Sequence, residues 1–426
     1  MIGRACTAAL MSALALVGCY SGAPLAEGDE GAASTGETSE GGEAGSAAGS
    51  TDASGSSSSG DATTEATTEP EVVDPLAELD QFSEAEARAY LATIAPMVVG
   101  RLLTEAEAKL ISYYGSRGLA GVIEGWIEDK AFAETARMMM QVKLHASGQS
   151  DEIDFELPGN LAAHVAAQKL PYARLITADY CVDGAGSKIP CDSGAPYTAG
   201  VLTTRAYLRA NASRFNLRRA RRMLYIFNCQ VYPMSSNLQP PLEKESLIAM
   251  FQALTPEDQT VEEAKSGFGN GFACYSCHSQ FGAHSQLFVR FDQDGNYRPD
   301  ATGLQDPEDE LGRSPGGLFV SHFVDPVAAA QEITQVFGVP VEDLAVAAKV
   351  LSEDETFYQC GARNVIEWTF GLSEAEAAKT DPLLLQELAR RARARRPEPT
   401  FGDLFLVTLT HPAVIDVVLA GQGALP

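Results

Sequence analysis

A mainly α-helical body is predicted, irregular in outline, with long Pro- and Gly-rich loops and a disordered linker ahead of it. Three observations predict it. Apolar residues recur at helical spacing behind capping signatures, alternating strand patterns are nearly absent, and residues 21–70 hold no material for a core. With 426 residues, 45% of them hydrophobic, the chain is long enough for one large domain or two ordinary ones.

Residues 1–18 read as a lipoprotein signal peptide. Arg4 is a short positive region, Ala8 to Val17 is apolar but too short to span a bilayer, and Leu16-Val17-Gly18-Cys19 resembles a bacterial lipobox. Cys19 is then diacylated and becomes the first mature residue. An ordinary signal peptide with an incidental cysteine is the alternative. Tyr20 stands where inner-membrane retention favours Asp, which points to the outer membrane and to a chain anchored to it rather than spanning it. No apolar run reaches the roughly 18–20 residues of a membrane-crossing helix.

Residues 19–76 comprise this lipidated cysteine and an acidic linker. From Ser21 to about Pro70 the composition is nearly all Gly, Ser, Ala, Thr and Glu, which cannot bury enough apolar surface to fold. As a flexible coil, such a tether reaches on the order of 40 Å. Between Thr7 and Ala87 stand 16 Asp or Glu and no Lys or Arg, and the whole chain carries a net charge of −26. Phosphate contacts need a basic surface, so nucleic acid is not a predicted partner.

The body divides on sequence grounds into an N-terminal helical module, 77–199, and a second helical module, 200–426. Ser83-Glu84-Ala85-Glu86 and Thr104-Glu105-Ala106-Glu107 are capping boxes, each followed by apolar residues at helical spacing. Val122 to His145 reads as one continuous helix, with Met138-Met139-Met140 as core filling. Pro158 to Thr198 reads as an irregular connection, and Thr203 to Val231 as helix again. Later helices are expected over Val341 to Leu351, Ala362 to Phe370, Ser373 to Ala394 with a break near Asp381-Pro382, and Phe401 to Leu409 behind Thr400 and Asp403. Two basic runs, 218–222 and 390–396, read as solvated or salt-bridged helix faces. The first also suits acidic cofactor groups such as haem propionates.

Eight cysteines carry the rest. Cys6 leaves with the signal peptide and Cys19 takes lipid. Cys274-Tyr275-Ser276-Cys277-His278 is a complete C-x-x-C-H, the attachment signature of c-type haem: two thiols reach the two vinyl groups of one porphyrin, and the adjoining His ligates the iron. Three other readings compete. A redox dithiol lacks a surrounding βαβ pattern, a zinc site lacks a second ligand pair, and a plain disulfide is always available. The remaining Cys181, Cys191, Cys229 and Cys360 allow three pairings. Cys181 and Cys191 share one polar loop and suit a local bridge, which leaves Cys229 with Cys360. The sixth iron ligand is open, with Met223, Met234, His284, His322 and His411 as candidates. Asp292 to Asn296 superficially suggests a calcium loop, but Gly303 stands where the closing Glu belongs, so a turn is expected.

The stretch GFACYSCHSQFGAHSQLFVRFDQDGNYR, Gly271 to Arg298, resembles the C-x-x-C-H…FD-x-x-G-x-x-R segment of the planctomycete-type cytochrome c-like proteins, an uncharacterised bacterial family. Arg101 to Ile111, Gly200 to Pro233, Leu344 to Leu372 and Phe401 to Val414 are similar to the family's other modules. The resemblance implies haem c on Cys274 and Cys277, with His278 as iron ligand, and it matches Cys229 and Cys360 to the family's two single-cysteine positions. After the motif the family usually carries Asp-Pro and Gly, whereas this chain has Phe281-Gly282-Ala283-His284.

The expectation is an outer-membrane lipoprotein of the cell envelope, periplasm-facing or at the cell surface, with one covalent haem c. Its expected work is single-electron transfer with a redox partner protein. The alternatives are a non-haem lipoprotein serving as a binding or scaffold module, with Cys274–Cys277 as a disulfide, and a haem enzyme of peroxidase or oxidase type.

Overall fold

The computed structural model describes residues 76–148, 150–212, 216–230, 284–299 and 334–421, all of them within one compact unit, Glu71–Pro426. The signal peptide, Cys19, the linker and Cys274, Cys277 and His278 lie outside the described residues.

The described part is mostly helical. A 3-10 turn at Ala77–Gln81 precedes α1 (Glu84–Val99), α2 (Glu105–Tyr114), α3 (Gly118–Glu128) and α4 (Lys130–Lys143). Next come α5 (Leu157–Ala167), the single turn α6 (Arg174–Thr177) and a hairpin of β1 (Cys181–Val182) and β2 (Lys188–Ile189), with Cys181 opposite Ile189. α7 (Arg205–Ala210) and α8 (Leu217–Asn228) follow. A second hairpin, β3 (Thr334–Val336) and β4 (Val339–Val341), leads into α9 (Leu344–Glu353), α10 (Thr356–Phe370), α11 (Glu374–Ala377), α12 (Pro382–Arg395), α13 (Phe401–Leu409) and α14 (Pro412–Leu419).

Four helices start where short-range chemistry dictates. Ser83, Thr104, Ser373 and Thr400 each accept the N–H three residues on, and Glu86, Glu107, Glu376 and Asp403 reach back to the cap N–H. Each such cap contributes about 1 kcal/mol. Other boundaries depart from the pattern read along the chain. The helix expected over 122–145 breaks at Asp129, whose extended backbone (ψ 144°) ends α3 and whose carboxylate accepts the Ala131 N–H at 2.9 Å to start α4. The break lets α4 turn Phe132, Met139 and Met140 into the core. The stretch expected as helix over 203–231 is likewise divided between α7 and α8. The expected irregular connection contains α5, with Pro158 in its first turn, where a missing N–H costs nothing.

Helices from both sides of residue 200 share one apolar core, running from Leu79 to Ile415. The buried Tyr90 hydroxyl donates to Leu409 O at 2.8 Å, and Trp368 Nε1 donates to Met97 O at 2.9 Å, tying α1 to α13 and α10. An aromatic file crosses the same core. Phe227 stacks on Phe357 at 6.2 Å, Phe357 meets Tyr172 at 5.4 Å, and Tyr172 meets Phe401 edge-on at 4.8 Å. Removing any of these rings forfeits about 3–5 kcal/mol. Gly361 in α10 permits the packing, because a Cβ there would lie 2.8 Å from Leu404 Cδ1.

The basic run at the end of α12 is a salt-bridged face. Arg390 and Arg391 pair with Glu387, Arg391 also with Glu78, and Arg395 with Asp403. Among the described residues no single helix is long and apolar enough to cross a membrane.

Candidate functional site

The structure describes the two segments that flank the C-x-x-C-H stretch in the chain. Both flanks, 229–230 and 284–299, lie against α8. The basic run 218–222 opens this helix, and its four arginines do different work. Arg218 and Arg221 are exposed, whereas Arg219 and Arg222 are buried.

Arg219 is fully buried, and among the described residues no carboxylate forms an ion pair with it. Its guanidinium is met by oxygens instead: Nε donates to Leu208 O (2.8 Å), Nη1 to Asn216 Oδ1 (3.1 Å) and Phe291 O (2.9 Å), and Nη2 to Asp292 O (2.7 Å). Charge-assisted hydrogen bonds of this kind are worth about 1.5–3 kcal/mol each. They clamp the strand of chain that follows the motif onto the start of α8.

The clamped segment explains why its sequence reads FD-x-x-G-x-x-R. Phe291 is buried and meets Tyr297 edge-on at 5.5 Å. Asp292 Oδ1 accepts the N–H groups of Asp294 (3.0 Å) and Asn296 (2.8 Å), and Oδ2 pairs with Arg298 at 2.7 Å. Burial opposes ionisation of Asp292, yet the Asn296 N–H and the Arg298 guanidinium hold its carboxyl below the usual range. Gly295 adopts φ +79° and lies so close to α7 that a Cβ would stand 2.8 Å from Leu208 Cβ. The acidic pentapeptide is thus a closed turn, its key carboxylate occupied by donors from its own chain.

The other end of α8 is finished by α10. Cys360, Arg363 and Asn364 stand on one face of α10 at the i, i+3 and i+4 positions and address the last carbonyls of α8. Arg363 Nη2 donates to Tyr225 O at 2.6 Å, Asn364 Nδ2 to Ile226 O at 2.7 Å, and the Cys360 thiol faces both oxygens at 3.2 and 3.1 Å. A buried guanidinium at a helix C-terminus suits the helix dipole. Cys229 then ends α8 in the left-handed region, φ 55°.

A charged cluster surrounds this junction. Lys143 is buried against Glu367, and burial lowers its pKa. Arg222 pairs with Glu374 and approaches His145 Nε2 at 2.7 Å. Burial, and then the Arg222 charge, push the His145 imidazole down to about 4. The Arg363 guanidinium lies 4.2 Å over the Tyr225 ring.

The cysteines divide into two kinds. Cys181 and Cys191 are joined by a disulfide that closes the β1–β2 loop. Cys229 and Cys360 are brought into hydrogen-bond contact but remain two thiols. The two cysteines expected to bridge are thus neighbours at the α8–α10 junction, and the Cys360 sulfur is directed at the α8 carbonyls.

Of the sixth-ligand candidates, Met223 is fully buried in α8 as core, and His411 caps α14 by accepting the Ala413 N–H on Nδ1 at 3.2 Å. His284 is half-buried at the start of the clamped segment, while Met234 and His322 lie outside the described residues. No group of three or more His, Cys, Asp or Glu side chains is placed to hold a metal ion among the described residues.

No protein-family model, curated protein or solved structure matches this chain. The residues that sequence reasoning missed are Arg219, Arg363 and Asn364. Arg219 was hidden in a run of like residues. The one signal available for the other two was their spacing behind Cys360, which places all three on one helix face.

Proposed function

We propose that the chain is a cell-envelope lipoprotein, anchored to the outer membrane through Cys19, that carries one covalent c-type haem and works in single-electron transfer. The observation that carries this reading is the C-x-x-C-H at 274–278 in a chain that opens with a lipobox. The donor set fits the group chemically: two thiols three residues apart, with an imidazole directly after the second. Cys274 and Cys277 would hold the macrocycle by thioethers, and His278 would ligate the iron. Bound there, haem supplies a one-electron couple.

The body supports this reading by what it does to the flanks. Arg219 holds Phe291 and Asp292, 13 and 14 residues after His278, to α8, and the α8–α10 junction fixes the end of α8, 45 residues before Cys274. Arg218 and Arg221 put positive charge on the exposed side of that helix, beside His145 and Glu374, in a chain of net charge −26. The resemblance to the planctomycete-type cytochrome c-like proteins points the same way.

The test is to export residues 20–426 from a host equipped for haem c maturation and record the pyridine haemochrome spectrum after acid–acetone extraction. The expected result is a thioether-haem α-band that survives extraction and is absent from a Cys274→Ala/Cys277→Ala variant. A colourless protein of unchanged helix content would overturn the reading and leave a lipoprotein that binds or scaffolds.

A further inference from the structure

We propose that the start of α8 is a binding site for a phosphate group, built from Arg218, Arg221 and Arg222 of that helix and His145 at the end of α4, with Glu374 as a built-in competing anion. The site lies outside the C-x-x-C-H motif and rests on neither haem attachment nor lipidation.

Two local rules are broken here, and one ligand accounts for both. α8 opens with four arginines in six residues and carries no Asp or Glu. A helix N-terminus is the positive end of the macrodipole, and like charges three or four residues apart repel one another, so this placement opposes helix formation. α1, α2 and α11 open in the favourable way, each with two Glu in its first turn. The second departure is His145, which closes α4 in the left-handed region, φ 53°. Its N–H donates to Val142 O at 3.1 Å and the Ala146 N–H to Gln141 O at 3.0 Å. Glycine takes that position without strain. The chain instead places an imidazole there, with Nε2 2.7 Å from Arg222 and Nδ1 3.4 Å from Arg218.

The cluster has a buried floor and an open rim. Arg222 is buried, with Nη1 paired to Glu374 and Nη2 against the His145 ring. Arg218, Arg221 and His145 are exposed around it. Among the described residues, Glu374 is the one carboxylate that pairs with Arg221 and Arg222. It hydrogen-bonds to Arg222 but lies 3.8 Å from Arg221 Nη2, beyond hydrogen-bond range.

A phosphate group is the chemistry that completes this arrangement. Its oxygens accept the forked N–H groups of arginine and carry more charge than a carboxylate, whereas a second carboxylate would only repeat Glu374. Arg218 and Arg221 hold the phosphate from the exposed side, and Glu374 repels it. A bound phosphate also reverses the field at His145. Burial and the Arg222 charge, joined by Arg218 and Arg221 and opposed by Glu374, hold that imidazole down to about 4. A neighbouring dianion raises it and makes His145 a donor to the ligand. A soluble phosphoester and a lipid headgroup offer the same chemistry, and the test separates them.

The test uses the full exported chain, residues 20–426, at pH 7 and constant ionic strength. Inorganic phosphate is exchanged for chloride, and binding is read by calorimetry and by the His145 imidazole resonance, assigned with His145→Gln. The expected result is saturable binding that weakens by about tenfold in Arg221→Gln and tightens in Glu374→Gln, where the competing charge is gone. Far-UV spectra check that both variants keep their helices, and phosphate should raise the His145 pKa in the wild type. A second arm floats the protein with phosphatidic acid vesicles against phosphatidylcholine vesicles. Capture by the former alone, lost in Arg221→Gln, supports the site with a headgroup as its source, and phosphate binding without capture supports it with a soluble source. Absence of saturable binding in both arms, a response that chloride reproduces, or an affinity unchanged in Arg221→Gln would overturn the proposal. Haem content is read separately in the visible spectrum, so failure here and failure of the haem reading are distinguishable.

Discussion

Arg219 holds Phe291 by its backbone: Nη1 of the buried guanidinium donates to the Phe291 carbonyl at 2.9 Å, and Nη2 takes the next carbonyl, Asp292, at 2.7 Å. This buried charge persists because the described groups around it offer oxygens, and the Asp292 carboxylate attracts it as well. The segment after C-x-x-C-H is thereby fixed to the start of α8.

Replacing Arg219 by Leu should therefore lower stability by about 3 kcal/mol or more, since the Leu208, Phe291 and Asp292 carbonyls lose their shared donor inside the protein. Urea unfolding measures it, and limited proteolysis should show earlier cleavage within 284–299. An unchanged midpoint would mean that the clamp is not needed.

Gly295→Ala should cost about 2 kcal/mol. The left-handed φ of +79° strains any L side chain, and the new methyl would meet Leu208 Cβ at 2.8 Å. Thermal unfolding of the single variant reads this, with Gly121→Ala, where a Cβ meets open space in α3, as the matched control expected to be neutral or stabilising.

Glu107 should govern part of the acid sensitivity. Burial opposes its ionisation, but hydrogen bonds from Arg101, Thr104 and Trp126 outweigh that and hold its carboxyl at about 2. The folded value lies below the unfolded one, so this contribution is present above about 4.5 and lost as pH falls toward 2. At neutral pH it is worth on the order of 3 kcal/mol. Glu107→Gln should be less stable at pH 7 and converge on the wild type near pH 2, as followed by denaturant titrations at each pH.

His145 acts at higher pH. Its folded value of about 4 lies below the ordinary 6.5, because burial, Arg222, Arg218 and Arg221 outweigh the attraction of Glu374. The unfolded chain then binds more protons between these values, so stability falls as pH drops from about 6.5 to about 4. With 41% of the side chain exposed, screening reduces the effect to on the order of 1 kcal/mol. His145→Gln should flatten that part of the stability profile. An identical profile in the variant would contradict the assignment.

The helical class was legible because its strongest signals are local. Ser83, Thr104, Ser373 and Thr400 each close a cap within four residues, so the sequence alone places those helix starts. The break at Asp129 was passed over because the same periodicity continues through it, although Asp129 is itself a residue type that caps helices and here accepts the Ala131 N–H. Pro158 misled in the opposite direction: read as a loop signal, it occupies the first turn of α5. The partners of Arg219 and Arg363 come from other elements, up to 138 residues away for Arg363 and Tyr225, and no local pattern encodes such distances. Residues 274–278 stand out in the sequence for the contrary reason, since the proposed covalent attachment needs its donors at one fixed short spacing.

The central claim is covalent haem at that spacing, and intact-mass spectrometry of the exported chain tests it most directly, followed by tryptic mapping. The account predicts a polypeptide heavier by one haem, with the whole increment on the peptide between Lys265 and Arg290 that contains Cys274 and Cys277. A bare polypeptide mass, from cells that load a control cytochrome c in the same culture, would contradict it.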